Sequence, residues 1–222
     1  MKSKNIIKSI AYFVILLIVT FFAFIAFDYW NANKGLDLKD SKTLDQVIVV
    51  IKTQGIKEYD IAKLNRLLKN VDTTKFKEIE KIKIKREIIR EAGFQNFDWK
   101  GTFSDVTSFQ DIKIEIEDIS KPILLYRRGY PNEQTGSFGL GRWWSNKPRS
   151  IQEARDDLAI LENWGNPLTT EYCIKVPVGI RVLKGKASPQ VFKNPTGKVI
   201  EERKGGGIQY FINIVNKDWL QK

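Results

Sequence analysis

Two adjacent guanidiniums and two adjacent indoles are the groups in this sequence best suited to hold a charged, flat ligand. Ile123-Leu124-Leu125-Tyr126-Arg127-Arg128-Gly129-Tyr130 is an apolar run that ends in two arginines and a glycine. Gly139-Leu140-Gly141-Arg142-Trp143-Trp144-Ser145 follows, a glycine-flexed segment that delivers two tryptophans and a serine. A guanidinium beside glycines that permit close approach suits a phosphate, and neighbouring indoles suit a flat ring. Together they fit a pocket for a nucleotide carrying a pyrophosphate. The same residues also fit a basic edge strand followed by two core tryptophans.

The inventory narrows the chemistry. The 222 residues contain no histidine and one cysteine, Cys173. That removes the commonest general base, every Ser-His-Asp or Cys-His arrangement, most zinc sites and any intrachain disulfide. No metal is expected. Cys173 reads as a small half-buried strand residue. The formal net charge of +11 is spread along the chain from Lys2 to Lys222. Such an excess suits nucleic acid, an anionic lipid surface or a polyanionic substrate, and its even spread singles out none of them; nucleic acid is not indicated beyond the charge itself.

The elements that must position these groups are legible in outline. Asp60 to Leu68 places Ile61, Leu64 and Leu68 on one helical stripe. Lys75 to Ala92 reads as a second helix capped by Asp72-Thr73-Thr74 and stopped at Gly93, with Phe76, Ile79, Ile82 and Ile89 sharing a face and the charges solvated. Lys81 to Lys85 also reads as an alternating strand. Ile112, Ile114 and Ile116 alternate with charges, as in a half-buried strand. Ser150 and Glu153 form a capping-box signature for a helix carrying Ile151, Ala154, Leu158 and Leu161, with Arg155, Asp156 and Asp157 at its surface, ended by Trp164-Gly165-Asn166-Pro167. Tyr172 to Val178 is a strand turning at Gly179, and Ile180 to Leu183 another turning at Gly185. Ala187-Ser188-Pro189-Gln190 is a loop. Gly205-Gly206-Gly207-Ile208-Gln209-Tyr210 is a glycine loop feeding a last strand, with Ile208, Tyr210, Ile212 and Ile214 on one face. Glu201 and Glu202 read as solvated loop charges. Short connections favour a mostly antiparallel or mixed sheet.

The ordered set Tyr126-Arg127-Arg128-Gly129, Trp143-Trp144-Ser145, Ala187-Ser188-Pro189-Gln190 and Gly205-Gly206-Gly207-Ile208-Gln209-Tyr210 resembles the ADP-ribosyltransferase superfamily. Its Gly-Gly-Gly-Ile-Gln-Tyr string is most similar to the necrotizing-toxin type of NAD glycohydrolase. The resemblance covers roughly Ile123 to the C terminus. It implies NAD as substrate, bound in a cleft between two small sheets. It also implies catalytic roles for Gln209, Arg128 and Ser145, with NAD contacts from Arg127, Arg128, Gly129, Trp143, Trp144, Gln190, Gly206 and Gly207. Transferases carry glutamate where this chain has Gln209, and the residue that would activate an acceptor is replaced by Gly207. Histidine, found on the second strand in some branches, is absent, so Ser145 takes its place. Either arginine can be the family's strand arginine; as strand neighbours they face opposite ways.

The reaction implied breaks a nicotinamide–ribose bond through an oxocarbenium-like state with a neutral leaving group. It needs positioning and stabilised positive charge on the sugar rather than a metal or a strong acid. The expected function is a membrane-anchored, NAD-consuming toxin or effector-like enzyme, either a glycohydrolase or a mono-ADP-ribosyltransferase. The alternatives are a catalytically inactive binding or interaction module of the same fold on a membrane, and a tethered structural protein docking on anionic lipid. A protein acceptor or inhibitor protein is a further expected partner.

The anchor is read from Ile10 to Phe27, 18 residues without a charge, preceded by Lys2, Lys4 and Lys8 and followed by Tyr29 and Trp30. This is the length of a bilayer-spanning helix, and the lysines favour a cytoplasmic N terminus. The expected fold class is therefore α+β in three parts: a transmembrane anchor through the lipid bilayer (1–30), a linker and mainly helical accessory region (31–110), and an ADP-ribosyltransferase-like split β-sheet domain (111–222).

Overall fold

The computed structural model describes residues 61–71, 77–94, 104–133 and 140–221. They form an α+β structure. The helices are α1 (Ile61–Asn70), α2 (Glu78–Glu91), α3 (Ser104–Thr107) and α4 (Ile151–Asp157). The strands are β1 (Glu115–Asp118), β2 (Ile123–Gly129), β3 (Trp143–Ser145), β4 (Thr170–Val176), β5 (Arg181–Lys186), β6 (Gln190–Lys193), β7 (Val199–Arg203) and β8 (Ile208–Ile212).

Two parts of the expected fold class are corrected. Among the described residues no helix is long and apolar enough to cross a membrane; the run Ile10 to Phe27 lies outside them. The sheet is also not split into two halves. Six strands form one sheet in the order β1-β5-β8-β3-β2-β4, every pair antiparallel, and β6 and β7 form a separate two-stranded hairpin. The three-residue β3 closes the gap, pairing with β8 along its length and with β2 through Tyr126 and Ser145.

Each face of the sheet carries an apolar cluster. On one, Ile116, Leu183 and Phe211 pack with Leu64, Leu67 and Leu68 of α1 and Ile82, Ile84, Ile88 and Ile89 of α2. On the other, Leu125, Trp144, Tyr172, Ile174, Val182, Tyr210 and Ile212 pack together, flanked by Val215, Trp219 and Leu220 of the C-terminal segment. The alternation along β8 follows directly: Gln209 and Phe211 face the helices, and Tyr210 and Ile212 face the tail.

Local departures have local causes. In α2, Ile79 is exposed and burial begins at Ile82, continuing through Ile84, Lys85, Ile88 and Ile89; the expected partners Phe76 and Asp72 to Thr74 lie outside the described residues. The Lys81–Lys85 segment is helical. Ile112 is buried with Ile114 and Ile116, but Asp111 and Ile112 take positive φ, so a tight turn precedes a strand that begins only at Glu115. β5 runs through Gly185 rather than turning there, paired with Gln209 of β8; glycine stands there because the Phe109 ring and the Lys113 carbonyl occupy the space of a Cβ. The Ser150 helix is shorter than its apolar spacing implies: Ala159 at φ 52 turns the chain before Leu161. Ile214 lies beyond the end of β8 and is exposed.

Candidate functional site

Directly opposed residues in an antiparallel ladder share a face, about 5 Å apart. One such row crosses five strands: Cys173 of β4, Tyr126 of β2, Ser145 of β3, Gln209 of β8 and Gly185 of β5. Trp143 and Arg128 lie on the same face, two residues along their strands from Ser145 and Tyr126. The structure thus brings Arg128, Ser145, Gln209 and Trp143 to one side of the sheet. It places Arg127 and Trp144 on the other.

Ser145 is buried, and its hydroxyl lies 2.9 Å from both the Tyr126 and Lys147 carbonyls, donating to one at a time. Gln209 is buried beside it, and its Nε2 donates to the Ser108 carbonyl at 2.7 Å. Trp143 packs edge-on against Phe211 at 5.1 Å and obliquely against Phe109 at 5.4 Å, so its indole is the wall between this row and the helical core. Burial first, then Cys173 and Glu171, push the Tyr126 phenol up; burial likewise raises the Cys173 thiol. Both are protonated at neutral pH, and neither is a ready nucleophile.

The chain neighbours of Ser145 and Gln209, Asn146 and Ile208, line a cleft of about 510 Å³ together with Lys147, Arg149, Asp157, Gly205, Gly206 and Gly207; the row residues themselves are not in its wall. Arg149 is the buried cation here. Its Nε donates to Asp157 at 3.1 Å and its Nη1 to the Lys147 carbonyl at 3.2 Å. A Cβ at Gly207 would stand 3.1 Å from Arg149 Nη2 and 2.8 Å from the Asp157 carbonyl, so glycine keeps this wall open. Lys147 is exposed at the rim. Two cations against one carboxylate leave the cleft electropositive and suited to a phosphate oxygen. The glycine amides themselves are occupied: Gly205, Gly206 and Gly207 donate to the carbonyls of Asp156, Ala187 and Asp157. The side chains, not the loop backbone, present the donors.

Arg128 supports this cleft from behind. Its Nε donates to the Arg149 carbonyl, its Nη1 to the Leu168 carbonyl at 3.2 Å, and its Nη2 lies 3.5 Å from Glu171. Arg127 does the opposite. It grips Glu133 with Nε and Nη2 and donates from Nη1 to the Trp143 carbonyl. Gly129 and Gly141 are small to make room for this pair: a Cβ at either would overlap the Glu133 carboxylate or the Arg127 guanidinium. Trp144 is fully buried, its indole nitrogen donating to the Gly141 carbonyl at 2.8 Å. Gln190 opens β6 opposite Arg203, away from the row. Glu201 lies in β7 rather than a loop, bound to Arg203 at 2.8 Å.

Sequence reasoning missed Lys147, Arg149 and the cleft-facing role of Asp157. The signal was present: a basic Lys-Pro-Arg segment joins the aromatic-serine strand to a strongly capped helix, which fixes where those cations sit. Among the described residues no group of acidic, cysteine or histidine side chains is arranged to hold a metal ion.

No family model matches this chain, and no curated protein sequence does. Among solved structures it is similar to Tne2, determined in complex with Tni2, at 17% identity and a TM-score of 0.37 over 49% of this chain and 86% of that one. It is also similar to Tse6, determined in complex with Tsi6, at 17% identity and a TM-score of 0.36 over 60% of this chain and 93% of that one. Likeness this loose assigns neither an activity nor a partner to the chain.

Proposed function

We propose that the chain is an NAD glycohydrolase of an effector-like kind, hydrolysing the nicotinamide–ribose bond without transfer to a protein. One observation carries this reading: Ser145 and Gln209 stand side by side on β3 and β8, and the segments that follow Ser145 and precede Gln209 wall a cleft holding Lys147 and Arg149. The cations suit the pyrophosphate, and the Gln209 carbonyl suits the ribose hydroxyls and the positive charge developing at the anomeric carbon. Arg128 holds the Arg149 segment in place rather than binding the dinucleotide.

The chemistry balances without cofactor. The carbon–nitrogen bond breaks, and its electron pair leaves with the ring nitrogen, which becomes neutral. Water's oxygen bonds to the anomeric carbon, and its proton passes to solvent. The products are nicotinamide and ADP-ribose. Gly207 and the amide at position 209 put no carboxylate at the two positions where the resemblance would have a transferase activate its acceptor, which favours water.

The test is nicotinamide release from NAD by the full chain, with and without a protein lysate. Release without lysate is expected. Gln209→Ala is expected to lower kcat on the order of 10²-fold, and Lys147→Ala to raise KM about ten-fold with a smaller effect on kcat. Label appearing on a lysate protein with no release in its absence would replace hydrolysis by transfer. No release under either condition overturns the reading.

A further inference from the structure

The environment of Gln209 specifies more than a polar side chain. Its Nε2 lies 2.7 Å from the Ser108 carbonyl, which also accepts the Ser188 amide at 2.8 Å. A carbonyl oxygen only accepts, so the amide nitrogen must be the atom that faces it. The planar carboxamide then turns Oε1 the other way. Ser108 is the side chain's only hydrogen-bond partner among the described residues. Although the residue is 7% exposed, Oε1 is not among the sealed, partnerless buried atoms. One end of the amide is anchored and the other reaches solvent.

The anchor cannot retreat. The next residue, Phe109, forms a bridge with Ala187, and its ring sits over Gly185 and against Trp143. The Ser108 carbonyl is therefore held against position 209 by the sheet on one side and the aromatic wall on the other. A carboxylate there would set one acceptor against another, partly buried and with no proton between them.

We infer that the Ser108 main-chain carbonyl makes 209 an amide-only position, orienting the carboxamide and excluding an ionised carboxylate. Ser108 acts through Gln209 and is a positioning residue. The catalytic consequence rests on the function proposed above, whereas the exclusion of a carboxylate does not.

Gln209→Glu in the full chain tests both. A neutral acid can still donate to Ser108 and present its carbonyl outward, so the variant should work when protonated. Nicotinamide release and thermal unfolding are followed for variant and wild type from about pH 4.5 to about pH 8.5, above the ordinary glutamate value. The expected result is a KM near that of wild type and a kcat ratio, variant to wild type, that falls about ten-fold per pH unit above the raised carboxyl pKa. The variant's melting deficit widens as pH rises toward that same pKa. A kcat ratio that is flat or rises with pH overturns the inference. If wild type releases no nicotinamide, the proposed function falls, and the unfolding comparison still decides: a widening deficit upholds the exclusion of a carboxylate, and a pH-independent one overturns it.

Discussion

Arg127 spends its guanidinium inside the protein, with two nitrogens on the Glu133 carboxylate and one on the Trp143 carbonyl. Glu133 is in turn tied by the Tyr130 amide to its carboxylate and by its own amide to the Tyr172 hydroxyl. Removing the arginine leaves a carboxylate whose side chain is 9% exposed without its cation. Breaking such a part-buried pair from one side costs about 2–3 kcal/mol. Arg127→Ala should therefore lower the unfolding free energy from urea titration by that amount, with the midpoint falling accordingly, while leaving KM for NAD unchanged under the proposed function. Arg127→Lys should recover only part of the loss, because an ammonium cannot make the fork. A large rise in KM with undiminished stability would move Arg127 from the scaffold into the site. The strand period already implied that the two arginines face opposite ways; which one shares the face of Ser145 is set by the pairing of Tyr126 with Ser145, and no local pattern encodes that register.

At the scale of elements, the glycine loop is zipped to the end of α4 and the β6–β7 hairpin is fastened to the same helix. Arg203 binds Asp156 at 2.9 Å, Glu162 at 3.3 Å and Glu201 at 2.8 Å. Hydrogen bonds from Gln152 and then Arg203 hold the Asp156 carboxyl below its usual range. Burial works to raise Glu201, and hydrogen bonds from Arg203 and the Glu162 amide outweigh it, so it too is lowered. Carboxyls lowered on folding contribute stability that is complete above their unfolded values, about 4, and is lost as pH falls through the folded ones. Acidification below about pH 4 should thus loosen the hairpin, seen as faster proteolysis between Lys193 and Val199. Arg203→Ala should flatten that acid dependence, and an identical acid limb in the variant would show that the cluster does not hold the hairpin. The helix cap was legible in the sequence, since Ser150 and Glu153 bond each other's amides at 3.2 and 2.7 Å. The course of β5 through Gly185 was not, because it depends on pairing with β8 and the glycine answers a ring supplied by a distant segment.

Across the whole molecule, two apolar clusters back one six-stranded sheet, and α1 and α2 share a cluster with Leu183 and Phe211. The helical stripe of α1 was readable from residue spacing. Its docking on the sheet was not, since that is decided by residues far along the chain. The sheet is nevertheless joined unevenly. Between β2 and β3 the ladder is a single opposed pair, Tyr126 and Ser145, reinforced by the Ser145 hydroxyl on the Tyr126 carbonyl and by Arg127 on the Trp143 carbonyl. That makes a seam between β2–β4 and the other four strands, and the proposed catalytic row crosses it. In amide hydrogen exchange, β2 and β3 should open at lower cost than β5 and β8. A dinucleotide held at Gln209, Lys147 and Arg149 would tighten the seam indirectly, because Arg128 of β2 holds the Arg149 carbonyl, and exchange should slow on both sides of it. The place where this fold is least bound to itself is then the place where it has most to gain from a ligand.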